Sequence, residues 1–269
     1  EPPELEISVC RVLTRTFNAR PAEPFRPESG KSLGHCADFY GYARRRSESF
    51  SIGPVLVGGS EPVRAFVRVP DEMMPTDLLA AHESILKKGL GVNPEVLEFD
   101  VRDEKSLDRL KAFRATLKGE TSRLAFLARA DGPLSLVRDA VKVSDLVCWV
   151  SPVASEYAVF LKALKNRNVA NLVEGETAEE ALKREVSSRG KDVKTMTSLR
   201  GADASELLHE YRLLAAQGAS SPILLRAPRE KTADEQTLRA STLVGGLLCD
   251  GVGDAVLADA GLAFERGLA

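Results

Sequence analysis

The densest run of chemically suggestive residues is Gly245-Gly246-Leu247-Leu248-Cys249-Asp250-Gly251-Val252-Gly253-Asp254-Ala255-Val256. Glycines flanked by aspartates invite a phosphate or metal reading. Glycine lets backbone approach a ligand closely, and aspartate supplies hard oxygen donors. A second set is scattered: Asp71, Asp100, Arg102, Arg129, Asp131, Glu174, Arg200, Arg226, Arg229 and Asp259 lie at the ends of short apolar runs. Guanidinium groups there could clamp a diphosphate through paired hydrogen bonds. Internal pairing of polar loop residues is the plainer expectation, because no histidine, nucleophile–base pair or phosphate loop accompanies them. Ser151 and Ser198 follow apolar runs as well, but neither has a histidine near it in sequence, so a serine triad has little support. Arg44-Arg45-Arg46 is the obvious basic run. It is expected to be a solvated cluster, with a grip on phosphate or an acidic partner as the alternative.

Redox and metal chemistry find thin material. Four cysteines, Cys10, Cys36, Cys148 and Cys249, are dispersed without a CxxC pair, and the three histidines His35, His82 and His209 are far apart. Cys148 and Cys249 sit in apolar runs, where a thiol behaves as a small hydrophobe. His82 and His209 fall on helical patterns and read as partly buried packing residues. The formal charge of −2 argues against a nucleic-acid surface. No apolar run approaches the roughly 20 residues needed to span a bilayer. The start at Glu1 suggests a fragment of something longer or a processed chain.

The elements that must position these residues follow from the apolar pattern. Strand-like runs occur at Arg64–Val69, Val96–Val101, Leu124–Ala128, Leu146–Val150, Val169–Val173, Val193–Thr197, Ile223–Leu225 and Ala255–Leu257. Helical faces lie between them, such as Leu107, Leu110 and Phe113, or Leu207, Leu208, Tyr211 and Leu214. Thr177 with Glu180, Asp203 with Glu206 and Thr232 with Glu235 have capping-box spacing. Gly190 and Gly218 follow helices, where a left-handed residue closes the last turn. Alternating strands and helices imply a parallel sheet, and eight units suggest closure. The expected fold is therefore α/β: a (β/α)8 TIM-like barrel, complete or degenerate, with an open doubly wound sheet as rival. Residues 1–59 read as the end of a preceding domain, a helix and an irregular linker, and 60–269 as the barrel. In that frame the Asp250–Asp254 turn follows a helix and precedes a strand. It lies on the face opposite a barrel's usual active site, so Asp250, Gly251, Gly253 and Asp254 are expected to serve stability.

The stretch Gly245 to Val256 closely resembles the G-G-L-L-x-D-G-x-G-D-x-V stretch of the large hydroxymethylbutenyl diphosphate synthases of plants, apicomplexan plastids and some bacteria. Ser198-Leu199-Arg200-Gly201 resembles an S-L-R-G element of that family, and Glu1-Pro2-Pro3-Glu4 with Ile7 resembles the sequence closing its first barrel. The resemblance implies an inserted barrel between a substrate-binding barrel and an iron–sulfur domain, in plastid or apicoplast stroma or bacterial cytoplasm. The family's [4Fe–4S] cluster depends on cysteines that do not occur here, so no catalytic, cofactor or metal position is carried over. The implied function is a non-catalytic spacer whose partners are the neighbouring barrel and iron–sulfur domain. Alternatives are a docking module for the electron donor ferredoxin, and an independent barrel enzyme acting on a phosphorylated ligand.

Overall fold

The computed structural model describes residues 43–77, 94–116, 123–230 and 232–258. Eight parallel strands close a barrel in the order β10-β3-β4-β5-β6-β7-β8-β9. The strands are β3 (Arg64–Arg68), β4 (Val96–Val101), β5 (Ala125–Ala130), β6 (Leu146–Trp149), β7 (Ala170–Gly175), β8 (Thr195–Leu199), β9 (Ile223–Leu225) and β10 (Ala255–Ala258). Around them run α1 (Glu104–Thr116), α2 (Leu134–Val141), α3 (Ala154–Arg167), α4 (Ala178–Arg189), α5 (Ala204–Ala216) and α6 (Ala233–Cys249). The expected barrel is thus present and closed, because β10 pairs with both β3 and β9. The stretch between β3 and β4 that carries His82, the first helix pattern, Asp259, and the Glu1–Ile7 element lie outside the described residues. Among the described residues, no helix is long and apolar enough to cross a membrane.

Strand alternation sorts side chains between two cores. Outward residues such as Val67, Phe99, Phe126 and Val147 pack under α1, α2 and α3, with Phe113 edge-on to Phe99 at 5.0 Å. Inward residues Phe66, Val96, Leu127, Cys148, Leu172, Met196 and Leu224 fill the barrel. Burying strands on both faces is what makes them read as unbroken apolar runs. Helix starts follow the expected chemistry: Thr177, Asp203 and Thr232 side chains accept backbone N–H bonds from Glu180, Glu206 and Glu235. One helix end differs. Gly190 stays right-handed at φ −61°, and Asp192 takes the left-handed turn at φ 59° instead. Cys249 and His209 are exposed rather than packed.

Within the stretch expected as irregular linker, residues 43–49 carry no helix or strand, and 50–57 form a hairpin. β1 (Phe50–Ile52) and β2 (Val55–Val57) form an antiparallel hairpin. Its Ile52, Val55 and Val57 join the interior core below Phe66 and Val96, closing the barrel's N-terminal mouth. Arg45 locks the strap to the barrel. Its guanidinium donates to the Ala219 and Ser221 carbonyls at 2.6 and 2.9 Å and to Asp254 at 2.9 Å. Arg44 turns toward Asp254 and the Glu61 carbonyl. Burial lowers the Arg45 pKa, and the Asp254 charge opposes it without fully cancelling it. The expected solvated cluster is therefore corrected: two of its three arginines, Arg44 and Arg45, are bonded within the fold.

Candidate functional site

The Asp250–Asp254 turn sits at this plugged end. Asp254 is 1 % exposed and also accepts from Ser47 Oγ at 2.8 Å and Ile223 N at 2.9 Å. Asp250 pairs with Arg212 at 2.7 Å. Gly251 holds φ +75°, and a Cβ there would lie 2.3 Å from the Ala43 carbonyl; Gly253 holds φ +116° against Leu225. These residues position backbone and strap, and none faces an open cavity at the strand C-terminal ends. An open groove of about 590 Å³ flanks the same end. Of its charged residues, Arg189 meets Glu48 and Lys165 meets Asp192, and Lys194 lines it as well.

The opposite mouth is built differently. There the last inward positions of the strands are charged, where the same alternation puts apolar side chains deeper down. Arg68 ends β3, Glu98 and Asp100 alternate on β4, Arg129 is on β5, Glu174 on β7, and Arg200 and Arg226 follow β8 and β9. Six arginines, adding Arg102 and Arg229, line a cavity of about 230 Å³ with Asp100 and Glu174. The scattered residues Asp100, Arg102, Arg129, Glu174, Arg200, Arg226 and Arg229 are thus brought together. Asp71 stands at the rim beside Arg102 and Arg109, and Asp131 is exposed outside the cavity.

Two residues of this mouth escape the sequence pattern, Arg68 and Glu98. Both lie inside apolar runs rather than after them, and the available signal was the period of two in Glu98-Phe99-Asp100. Glu98 is fully buried and receives Arg68 Nε and Nη2 at 2.9 and 2.6 Å and Arg226 Nη1 at 3.1 Å, with a further bond from Arg226 Nη2. Burial by itself would raise its pKa. The Arg226 and Arg68 charges overcome that and hold the carboxyl down at about 2. Glu174 is handled alike: burial opposes ionisation, while Arg226 and Arg129, the latter bonded at 2.8 Å, keep its pKa below the usual range. Both carboxylates are charged at neutral pH and brace Arg68, Arg129 and Arg226 in place.

The element S-L-R-G lands at this mouth. The strand runs two residues further than the apolar pattern suggested, so Ser198 is buried inside β8 and donates to the Leu224 carbonyl at 2.8 Å. It is no exposed nucleophile. Leu199 faces α5, and Gly201 lets the chain pass Leu207, whose Cγ would be 3.2 Å from any Cβ. Arg200 reaches Glu176 at 3.1 Å. Tyr211 on α5 ties this region together. Its hydroxyl accepts from Leu199 N and Arg226 N, both at 3.1 Å, so one buried phenol fixes the ends of β8 and β9 beneath Arg200 and Arg226. Burial pushes its pKa up and keeps it protonated. Cys148, below the mouth, is likewise raised by burial and remains a thiol. Among the described residues, no three His, Cys, Asp or Glu side chains stand close enough to hold a metal ion.

No protein-family model and no curated protein sequence matches the chain. Solved structures do. A phospho-2-dehydro-3-deoxyheptonate aldolase from Thermotoga maritima superposes with TM-score 0.57 at 14% identity, over 80% of this chain and 64% of that one, under two thirds of its length. Dihydropteroate synthase from Thermus thermophilus gives TM-score 0.57 at 14% identity, over 81% of this chain and 95% of that one. N-acetylneuraminic acid synthetase from Leptospira borgpetersenii gives 0.53 at 12%, over 81% and 79%. At such identities the likeness is one of fold. These neighbours are enzymes, and on that finding the expectation of a non-catalytic spacer is corrected.

Proposed function

We propose that this barrel is an enzyme in its own right, acting on a small phosphorylated substrate at its C-terminal mouth. The observation that carries the reading is the charge balance of the cavity. Among the described residues, six arginines outnumber the carboxylates Asp100, Glu174 and the deeper Glu98 around a mouth that opens to solvent. Glu176 and Asp71 lie further out, 68% and 64% exposed, where solvent weakens their effect. Guanidinium groups suit phosphate because they donate in pairs and never lose their charge. At about 230 Å³ the cavity is smaller than the roughly 300–1,000 Å³ of drug-sized pockets, which favours a compact metabolite. Barrel enzymes work at this face. The aldolase neighbour's name carries a phospho- prefix, and that of another neighbour a 7-phosphate.

In this reading Arg200 and Arg229 meet the phosphate from the solvent side, with Arg129 and Arg226 beneath. Glu98 and Glu174 orient the inner pair. Donors fixed in advance stabilise negative charge developing on the substrate without reorganising. Thermal melts with inorganic phosphate, pyrophosphate and a panel of phosphorylated sugars test it. Ligand at about 100 times its Kd adds roughly 2.7 kcal/mol. Arg200→Ala is expected to weaken binding about tenfold while leaving the unliganded melt in place. If no anion shifts the wild-type melt, the reading fails.

The S-L-R-G and G-G-L-L-C-D-G-V-G-D-A-V elements support a separate proposal of kinship with the large hydroxymethylbutenyl diphosphate synthases. Its test is the parent gene: a CxxC and a third cysteine encoded downstream of Ala269 would bear it out, and their lack would end it.

A further inference from the structure

The walls of the C-terminal mouth ask for a hydrogen-bond donor as well as an anion. Asp100 Oδ1, Arg200 Nε and Arg226 Nε are buried and make no hydrogen bond, and all three belong to residues lining the same cavity. Leaving a buried polar atom unpaired is costly; Arg44 Nε and Arg45 Nε are unpaired at the plugged end too, so the telling atom is the carboxylate oxygen Asp100 Oδ1, whose residue lines an open cavity. Arg226 Nε has Glu174 Oε1 at 3.5 Å, and a phosphate would offer Arg200 Nε and Arg226 Nε a closer acceptor. Asp100 needs the opposite. It is the loosely held member of the carboxylate set. Arg102 donates to Oδ2 at 3.2 Å, while the Arg129, Arg68 and Arg229 nitrogens stand back at 3.6, 3.9 and 3.9 Å. Its side chain is nevertheless only 8% exposed. An ionised carboxylate offers about four acceptor positions, and Glu98 next to it fills its own with short guanidinium bonds.

We infer that Asp100 is a substrate-binding residue that accepts a hydrogen bond from a hydroxyl group, so that the ligand class of this mouth is a small phosphorylated hydroxy compound rather than a bare phosphate. Arg102 covers Asp100 from the solvent side and is 60% exposed. The hydroxyl donates to Oδ1, beside the Arg102 bond to Oδ2, and the phosphate engages the arginines across the cavity. The inference rests on the proposed phosphate-binding role of the mouth and adds the second half of the ligand. A site built around a substrate hydroxyl rejects the analogue lacking it, because its own polar group is then left unpaired.

The test compares glycerol 3-phosphate with propyl phosphate, which keeps the chain and phosphate but has no hydroxyl, by calorimetric titration of the whole chain. Wild type is expected to prefer glycerol 3-phosphate by tenfold or more. Asp100→Ala is expected to lose that preference while still binding propyl phosphate. Equal affinity of wild type for the two esters would overturn the inference and leave the phosphate site standing. A preference that survives in Asp100→Ala would overturn it equally. Should wild type bind neither ester, nor phosphate or pyrophosphate, the phosphate reading falls as well. The wild-type comparison decides the matter even if the variant does not fold.

Discussion

At the N-terminal mouth, Arg45 meets Asp254 at 2.9 Å and two backbone carbonyls at 2.6 and 2.9 Å; at the C-terminal mouth, Arg129 and Arg229 stand 3.6 and 3.9 Å from Asp100. The two ends of one barrel arrange the same residue types differently. At the first, a hairpin fills the space and the Arg45 Nη atoms are taken by groups of fixed position, with Asp254 itself accepting from Ile223 N and Ser47 Oγ, although Arg44 Nε and Arg45 Nε are buried without a hydrogen bond. At the second, braced arginines surround a cavity and one carboxylate keeps an unfilled acceptor. A count of charges does not separate a structural clamp from a binding site. What separates them is whether space remains beside the polar groups and whether a carboxylate there keeps an unfilled acceptor.

The strongest way to break the comparison is to remove Asp254. Asp254→Ala leaves part-buried Arg45 without its ion-pair partner and Ile223 N without its acceptor, and is expected to cost roughly 3–5 kcal/mol. Chemical denaturation reads the loss. Phosphate affinity of the folded fraction should not change, and a variant as stable as wild type would contradict the clamp.

Acid is the next probe, and it acts on the other mouth. The Glu98 carboxyl is held at about 2 against 4.5 for an ordinary glutamate. A depressed folded-state value contributes stability that is complete above the unfolded pKa and is lost as pH falls through the folded one. Melts should therefore weaken between about pH 4.5 and pH 2, by roughly 3 kcal/mol from this group. Glu98→Gln should be less stable at pH 7 and flatter across that window. An acid limb of unchanged slope in the variant would show that Glu98 does not drive the acid loss.

Gly251→Val comes third. Its left-handed φ and the 2.3 Å approach to Ala43 O make a β-branched residue cost about 1–3 kcal/mol, read as a lower melting temperature. Smallest is Arg46→Ala: the exposed member of the arginine run should change stability by no more than about 0.5 kcal/mol. A large effect there would mean that the strap depends on more than Arg44 and Arg45.

Much of the frame was legible because its causes are local. Apolar runs of strand length, Thr177, Asp203 and Thr232 three residues ahead of their glutamates, and the glycine pair of the Asp250–Asp254 turn each act over a few residues. That reach was enough to indicate eight parallel strands and to put the turn between a helix and the last strand. The hairpin at 50–57 was not legible, since three-residue strands among glycines and charges carry too short a period to register. Ser198 was misplaced for a related reason. The inward end of β8 turns polar at the mouth, so the apolar run stops before the strand does.

The sequence alone determined that this chain alternates strands and helices, where its helices begin, and which residues stand near strand ends, because backbone periodicity and capping are local physics. Tertiary structure decided which charges meet. Arg226 and Glu98 are separated by 128 positions and share a bond only because barrel closure sets β9 across from β4. Arg45 and Asp254, 209 positions apart, became a clamp because the hairpin filled the mouth beside them. Nothing in the two sets of residue types distinguishes these outcomes. Distance, burial and leftover space do, and those exist only once the chain has closed on itself.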